Sequence, residues 1–151
     1  MRYVPPPGWL GPSGARLRWE GRLVLVVTGL VLVALLGIAR TLSPSPRGWG
    51  THEQLGLPAC AFPLRYQVRC PSCGMTTAWA HLVRGSLIAA LRCHVTGTLL
   101  GLAAASGSVW MLTCGMAGRW VLGRPGETTW LLGGAVLGAA LLAEWAVRVG
   151  W

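Results

Sequence analysis

Three long apolar blocks, separated by polar stretches rich in Pro and Gly, dominate the pattern of hydrophobic and polar positions. They cover about residues 23–39, 94–117 and 129–149. A helix rises about 1.5 Å per residue, so roughly 17–25 apolar residues are enough to cross the hydrocarbon core of a bilayer. The pattern therefore predicts an all-α integral membrane protein with about three transmembrane helices.

The rest of the chain is arranged around these blocks. A basic, Pro- and Gly-rich tail, residues 1–21, precedes a single membrane domain, residues 22–151. We interpret the first block as a retained anchor and not as a signal peptide, because the basic region before it is long and no small-x-small cleavage site precedes Arg40. Residues 40–92 are predicted to form a connecting loop, which carries a cysteine motif, and a short helix.

The short helix after the cysteine motif is predicted over residues 76–84. Helical spacing places Trp79 and Leu82 on one apolar face. Gly85 fits the position just beyond the helix, and Ser86 fits the N-cap of a following helix. A helix of this length cannot span a bilayer, so we predict an interfacial or re-entrant element.

Composition supports the membrane assignment. Hydrophobic residues make up 53% of the chain and charged residues only 11%, against about 25% charged residues in ordinary soluble domains. All 13 basic residues are Arg, and many lie near the ends of apolar blocks, where the side chain reaches lipid headgroups. No Arg-rich helix with interleaved aromatic residues occurs in the sequence, so the predicted partner is the lipid bilayer and not nucleic acid.

The arginines also bear on orientation. With three spans, the N-terminus lies on the same side as the 118–128 loop. The basic residues are nearly balanced between the two sides, so the positive-inside rule gives little contrast. The flank of the first helix often decides, and here it holds Arg16, Arg18 and Arg22. We therefore predict a cytoplasmic N-terminus and an outward-facing cysteine motif.

Small residues recur at helical spacing in the second and third spans. Gly97 and Gly101 form one small-xxx-small pair, and Gly134 and Gly138 form another. Small faces let helices approach closely in lipid, where no hydrophobic effect drives their association. We predict that these faces pack the two spans together or mediate assembly into a homo-oligomer or a larger membrane complex.

Glu144 is the one acidic residue inside a predicted span. An ionised side chain within a membrane is costly and is often functional. However, Glu144 lies near the end of its span and four residues before Arg148. We interpret the two as an ion pair between successive helical turns at the membrane interface.

The motif Cys70-Pro71-Ser72-Cys73 is the main chemical feature of the sequence. One interpretation is a metal knuckle, in which Pro fixes the turn and Gly74 adopts a positive φ after the second ligand. A closed zinc site takes four ligands, so the sequence permits zinc as a cofactor but does not require it. The candidates for the remaining ligands are Cys60 and His81, followed by Cys93 and His94.

Two other interpretations of the motif stay open. In a redox site, Cys70 would be a helix N-cap and Pro71 the first helical residue, and the helix N-terminus would lower the pKa of the thiol. In a structural site, a disulfide between Cys70 and Cys73, or with Cys60, would pin the loop to the helix. A reduced, tightly turned loop fits the same residues.

Part of the chain resembles a known family. The residues that carry the likeness are Cys60, the run Cys70-Pro71-Ser72-Cys73-Gly74-Met75-Thr76, Gly85-Ser86 and Ala90-Leu91-Arg92. They resemble a family of small bacterial membrane proteins known only as domain of unknown function 2752. The resemblance covers about residues 55–105 and implies a bacterial inner membrane protein in which the first three cysteines form one local unit. This sequence departs from the family in having Thr77 in place of an Arg, and His94-Val95 in place of Asn-Pro.

The sequence contains no recognisable catalytic constellation. Asp is absent, and no Ser-His-acid arrangement or Gly-rich phosphate loop can be placed. We interpret His52 as a solvated loop side chain and Cys114 as a packing residue inside a span. The expected function is a non-catalytic scaffold or accessory membrane subunit. The alternatives are a metal-binding membrane protein, a thiol–disulfide redox protein, and a component of an oligomeric transporter or channel.

Overall fold

The computed structural model describes residues 14–149, so most of the predicted N-terminal tail lies outside the described residues. Within that range the regular secondary structure is helical, apart from an isolated bridge that joins Arg16 to Arg119. In chain order the helices are α1 (Trp19–Thr41), a 3-10 helix (Thr51–Leu55), α2 (Ala61–Tyr66), α3 (Met75–Leu82), α4 (Leu87–Cys93), α5 (Val95–Ala117) and α6 (Glu127–Val149).

The three long helices confirm the membrane architecture. Helices α1, α5 and α6 each have 23 residues and are apolar enough to cross a membrane. Helix α1 extends beyond the predicted block at both ends, and α6 begins at Glu127 instead of residue 129. The difference arises because hydropathy marks the lipid-embedded stretch, whereas the backbone hydrogen bonds continue through the polar turns at its ends.

Helices α1 and α5 form a closely packed antiparallel pair. A Cβ atom on Gly29 would lie 2.8 Å from Cγ of Leu112, and one on Gly115 would lie 2.6 Å from Cγ2 of Val26. Glycine at these positions lets the two backbones approach without a side chain between them. Where α1 begins and α5 ends, the Arg22 Nε–H donates to the carbonyl of Gly115 at 3.1 Å. That bond satisfies a carbonyl of the last turn of α5, which has no partner within its own helix.

Residues 42–94, here called the cap, lie where α1 ends and α5 begins. Helix α3 packs against the first turns of α5, since a Cβ atom on Gly101 would meet Cδ2 of Leu82 at 2.7 Å. The Trp79 indole N–H donates to the carbonyl of Gly97 at 2.8 Å. The glycines of the first small-xxx-small pair therefore hold α3 against α5 in this chain.

The cap is also tied to α1. The Arg84 guanidinium donates to two carbonyls in the last turn of α1, those of Ala39 at 3.3 Å and Arg40 at 2.8 Å. Helix α3 ends at Leu82, two residues earlier than predicted, and Gly85 follows in the turn with a φ of +79°. Ser86 is the N-cap residue of α4, as predicted. The short helix is therefore confirmed, as α3, and it belongs to a larger helical cap.

Helix α6 is attached differently from the other two spans. None of its described residues is buried, and Cβ atoms on Gly134 or Gly138 would meet no atom within 4 Å. The structure therefore does not place the second small-xxx-small pair against α5 or another described element. The polar contacts of α6 with the cap and α5 involve residues near its C-terminal end, beside the cysteine motif.

Candidate functional site

The residues Cys70 to Gly74 form a tight turn that leads into α3. The Cys73 N–H donates to the Cys70 carbonyl at 3.1 Å, and Gly74 follows as the helix N-cap with a φ of +101°. A Cβ atom on Gly74 would lie 3.0 Å from the carbonyl oxygens of both Gly48 and Cys93. Both the backbone angle and the lack of space therefore require glycine here.

The turn corrects one expectation about the motif. The redox interpretation places Cys70 at a helix N-cap, where the helix N-terminus would lower the pKa of its thiol, but α3 begins at Met75 and its N-cap is Gly74. That prediction is wrong because Cys70 to Cys73 already close their own turn, which keeps Cys70 outside the helix. The positive φ that the metal-knuckle interpretation requires at Gly74 is confirmed.

Cys60 joins the two motif thiols from a separate segment. It is the N-cap residue of α2, and the sulfur atoms of Cys60, Cys70 and Cys73, here called the three-thiol cluster, all lie within 4.8 Å of one another. Helix α2 is positioned by Phe62, whose ring meets the Trp145 ring edge-on at 6.5 Å between centroids. The family resemblance implied this local unit, and the geometry brings it together.

The two motif thiols have opposite acid–base behaviour. Burial opposes ionisation of Cys70, but hydrogen bonds from Cys73, Ser72 and Cys60 outweigh it and lower the pKa of this thiol. Burial raises the pKa of Cys73 to about 12, and the hydrogen bond with Cys70 adds to the effect. Among the causes for Cys70 is a hydrogen bond from the backbone N–H of Ser72. A backbone N–H directed at a sulfur favours the thiolate, the form that binds metal.

The three-thiol cluster opens onto a cavity of about 290 Å³. Its wall includes His52, which the sequence led us to interpret as a solvated side chain, and the α3 residues Thr76 and Thr77. His52 is half-buried in the 3-10 helix. Sequence reasoning missed its place beside the thiols because the two segments are brought together only by the fold of the cap.

The loop that carries His52 is held firmly on α3. The hydroxyl oxygens of Thr51 and Thr77 are 2.8 Å apart, and both side chains are completely buried. The Thr51 hydroxyl also accepts from the Ser45 N–H at 3.1 Å. Gln54 closes the base of the loop, where its side-chain oxygen accepts from the Ser43 N–H at 3.0 Å. These bonds fix the backbone on both sides of His52.

His94 supports the cysteine turn from behind. Its Nε2 lies 2.9 Å from the carbonyl oxygen of Pro71, which can only accept, so Nε2 carries the hydrogen. Its Nδ1 accepts from the Gly97 N–H at 3.1 Å and lies 2.9 Å from the carboxylate of Glu144. The ring is fully buried and both nitrogens have partners, so His94 is not free to bind a metal.

Glu144 and Arg148 lock the end of α6 onto the same region. The Glu144 carboxylate accepts from the N–H groups of Val95 and Thr96, each at 2.8 Å. These N–H groups lie in the first turn of α5 and have no acceptor within their own helix. Arg148 pairs with Glu144, as predicted, and also donates to the carbonyls of Cys73 at 3.2 Å and Cys93 at 2.8 Å. The pair therefore joins α6, α5 and the cysteine turn.

The remaining predicted ligands lie elsewhere. His81 and Cys93 line a second, more open cavity together with Arg92 and Gly85. Cys114 is fully buried inside α5, where its sulfur accepts from the N–H of Val121 at 3.4 Å. Of the sequence-predicted ligands, the structure therefore brings together Cys60, Cys70 and Cys73 and does not bring His81 to them.

Comparison with known proteins agrees with the resemblance. Residues 60–107 match the family model described as "Protein of unknown function (DUF2752)". The match begins at the first thiol of the cluster and continues through α3 and α4 into α5. No curated protein and no solved structure matches the chain.

Proposed function

We propose that this small membrane protein binds one thiophilic metal ion through Cys60, Cys70 and Cys73. All three cysteines lie in the stretch that matches the DUF2752 family model. The observation that carries the proposal is the convergence of three sulfur atoms, from two separate segments, to within 4.8 Å of one another. Thiolate ligands select ions such as Zn²⁺ or Cu⁺ over Mg²⁺ and Ca²⁺.

The spacing of the sulfurs supports a shared ion. A Zn–S bond of about 2.3 Å places the sulfurs of a tetrahedral site about 3.8 Å apart. In the cluster the separations do not exceed 4.8 Å, and Cys70 and Cys73 are 2.7 Å apart. Small side-chain rotations are therefore enough to reach the tetrahedral separation, with no change in the backbone of the turn.

The metal would stabilise the cap. Its completely buried hydrophobic side chains are small, namely Ala78, Ala80 and Ala90. Such residues bury little apolar area, so they contribute little hydrophobic stabilisation. A metal that joins Cys60 on α2 to the turn before α3 cross-links the cap directly. This is a structural role, and it fits a non-catalytic scaffold or accessory subunit.

The test is metal analysis of the full chain, purified in detergent without added metal. We expect about one metal ion per chain in the wild type, as for a site with one shared ion. Cys60→Ser, Cys70→Ser and Cys73→Ser should each lower this content strongly. Cys93→Ser is the matched control, since Cys93 lies on the other cavity and should leave it unchanged. A wild type that holds no metal, and takes up none in a titration with Zn²⁺ or Cu⁺, would refute the proposal.

A thiol–disulfide exchange protein is the second candidate. The observation that favours it is the pairing of Cys70, whose pKa is lowered, with Cys73, whose pKa is raised to about 12, at a sulfur separation of 2.7 Å. The Cys70 thiolate would attack a substrate disulfide and release one thiolate. Cys73 would then displace the second thiolate, which leaves a Cys70–Cys73 disulfide and a reduced substrate.

For the location, we propose the bacterial inner membrane with a cytoplasmic N-terminus. The end of the molecule opposite the cap carries Arg16, Arg18 and Arg22, the basic flank of the first span. The cap would then face the oxidising side of the membrane, where thiols either bind a metal or form disulfides. Reporter fusions at the N-terminus and in the 118–126 loop should both be active in the cytoplasm. Activity outside the membrane would reverse the orientation.

A further inference from the structure

We infer that His52 is the fourth ligand of the metal and that the complete site is a Zn²⁺ centre with three cysteine ligands and one histidine. This inference rests on the proposed metal-binding function and adds to it a ligand, a coordination number and an ion. Three thiolates and one imidazole form one of the standard tetrahedral sets of structural zinc sites.

The position of His52 carries the inference. It lines the same cavity, of about 290 Å³, as all three thiols of the cluster. The neighbouring Thr51 is completely buried and bonded to Thr77 in the first turns of α3, directly after the cysteine turn. With the neighbouring backbone held at Thr51, the His52 side chain would reach the cluster by rotation about its own bonds.

The other histidines and cysteines of this chain lie away from the cluster or already have partners. The sequence has three histidines, His52, His81 and His94. Both ring nitrogens of His94 already have partners, and His81 lines the second cavity. The cysteines outside the cluster are in that second cavity and within α5. Among the described residues, His52 is the histidine that shares a cavity with the thiols.

The chemistry of the set selects the ion. Binding of Zn²⁺ by three thiols and one neutral imidazole releases three protons to solvent and leaves a complex with a net charge of −1. Cu⁺ is satisfied by soft sulfur ligands alone, whereas Zn²⁺ binds tetrahedrally and accepts imidazole nitrogen readily. The guanidinium of Arg148, which also pairs with Glu144, donates to the Cys73 carbonyl at 3.2 Å and so lies next to the site.

The experiment compares His52→Ala with His81→Ala, its matched control, in full-length protein in detergent. Zn²⁺ affinity is measured by competition with a chromophoric chelator, and the coordination is measured from the visible absorption of the Co²⁺ form. We expect His52→Ala to lower the Zn²⁺ affinity at least about tenfold, because even changes around the ligands cost ~10–100-fold. The Co²⁺ bands should also shift, while His81→Ala should match the wild type in both measurements.

A second variant separates loss of a ligand from loss of the fold. His52→Cys should restore tight binding and give the Co²⁺ spectrum of a four-thiolate site, which only a residue in contact with the metal can produce. If His52→Ala binds Zn²⁺ and Co²⁺ as the wild type does, the inference fails and the three-thiol site stands. If the wild type binds no metal, the proposed function fails first.

Discussion

The hydroxyl groups of Thr51 and Thr77 meet at 2.8 Å in the interior of the cap, where neither side chain has any contact with solvent. This one bond joins the loop that carries His52 to the helix that follows the thiols. The bond therefore holds both halves of the candidate site together.

Thr77→Val should destabilise the cap, because it leaves the buried hydroxyl of Thr51 without this partner. We expect a loss of about 1–3 kcal/mol in the free energy of unfolding, measured by thermal or denaturant unfolding in detergent. The double variant Thr51→Val/Thr77→Val should cost less than the sum of the two single changes, since no hydroxyl is then left unpaired. Thr113→Val is the control, because its hydroxyl bonds only within α5 on an exposed face. Equal effects at Thr77 and Thr113 would contradict this account.

Glu144→Ala should release α6 from the cap. The change removes the acceptor for two N–H groups of α5 and leaves the half-buried Arg148 without its carboxylate. We expect a loss of about 1–3 kcal/mol, because hydrogen-bonding groups around a half-buried pair lose their partner. Limited proteolysis of the 118–126 loop and thermal unfolding would both report it. Glu127→Ala, at the exposed opposite end of α6, should cost less than about 1 kcal/mol, and a similar loss there would argue against the proposed role of Glu144.

Gly101→Leu should separate α3 from α5. A Cβ atom at this position already approaches Leu82 to 2.7 Å and the Trp79 indole nitrogen to 3.1 Å, so a larger side chain has no space. Overpacking of this kind costs about 1–3 kcal/mol or more. Gly107→Leu is the matched control on the same helix, because a Cβ atom there meets nothing within 4 Å. Unfolding temperatures that fall equally for both variants would show that Gly101 is not a packing position.

Cys70 should be the first motif thiol to react with iodoacetamide in metal-free, reduced protein. Its pKa lies below the ordinary 9.0 and that of Cys73 is about 12, so below pH 9 the thiolate forms mainly at Cys70. The folded protein keeps the Cys73 thiol protonated, whereas the unfolded chain loses this proton near pH 9. The free energy of unfolding should therefore fall as the pH rises from about 9 towards 12. Peptide mass spectrometry after timed alkylation measures the order. Faster labelling of Cys73 would reverse the assignment and remove the main support for the redox candidate.

Local patterns in the sequence were enough to predict much of the architecture. Hydropathy identified the three spans because lipid contact imposes a continuous apolar run. The run Cys70-Pro71-Ser72-Cys73-Gly74 predicted a tight turn with a positive φ at Gly74, because proline and glycine restrict the backbone locally. The helix break at Gly85 was visible for the same reason.

The features that complete the site are long-range, and no local pattern encodes them. Nothing around His52 in the sequence shows that Thr51 bonds Thr77, 26 residues away. Likewise the partners of Glu144 in α5 are 48 and 49 residues away, so only its ion pair with Arg148 could be anticipated. The loop does carry one local signal, its glycines at positions 48, 50 and 56, and all three adopt positive φ in the structure.

The bond from Arg148 to the Cys73 carbonyl spans 75 residues, and this fixes an order of assembly. A ribosome releases the cysteine turn well before it synthesises the last turn of the third span. Until that span has entered the bilayer, the carbonyls of Cys73 and Cys93 and the first N–H groups of α5 lack the partners that α6 provides. Maturation of the thiol site is therefore coupled to correct insertion of the third span, and a chain that stalls before this point carries its cysteines without this support.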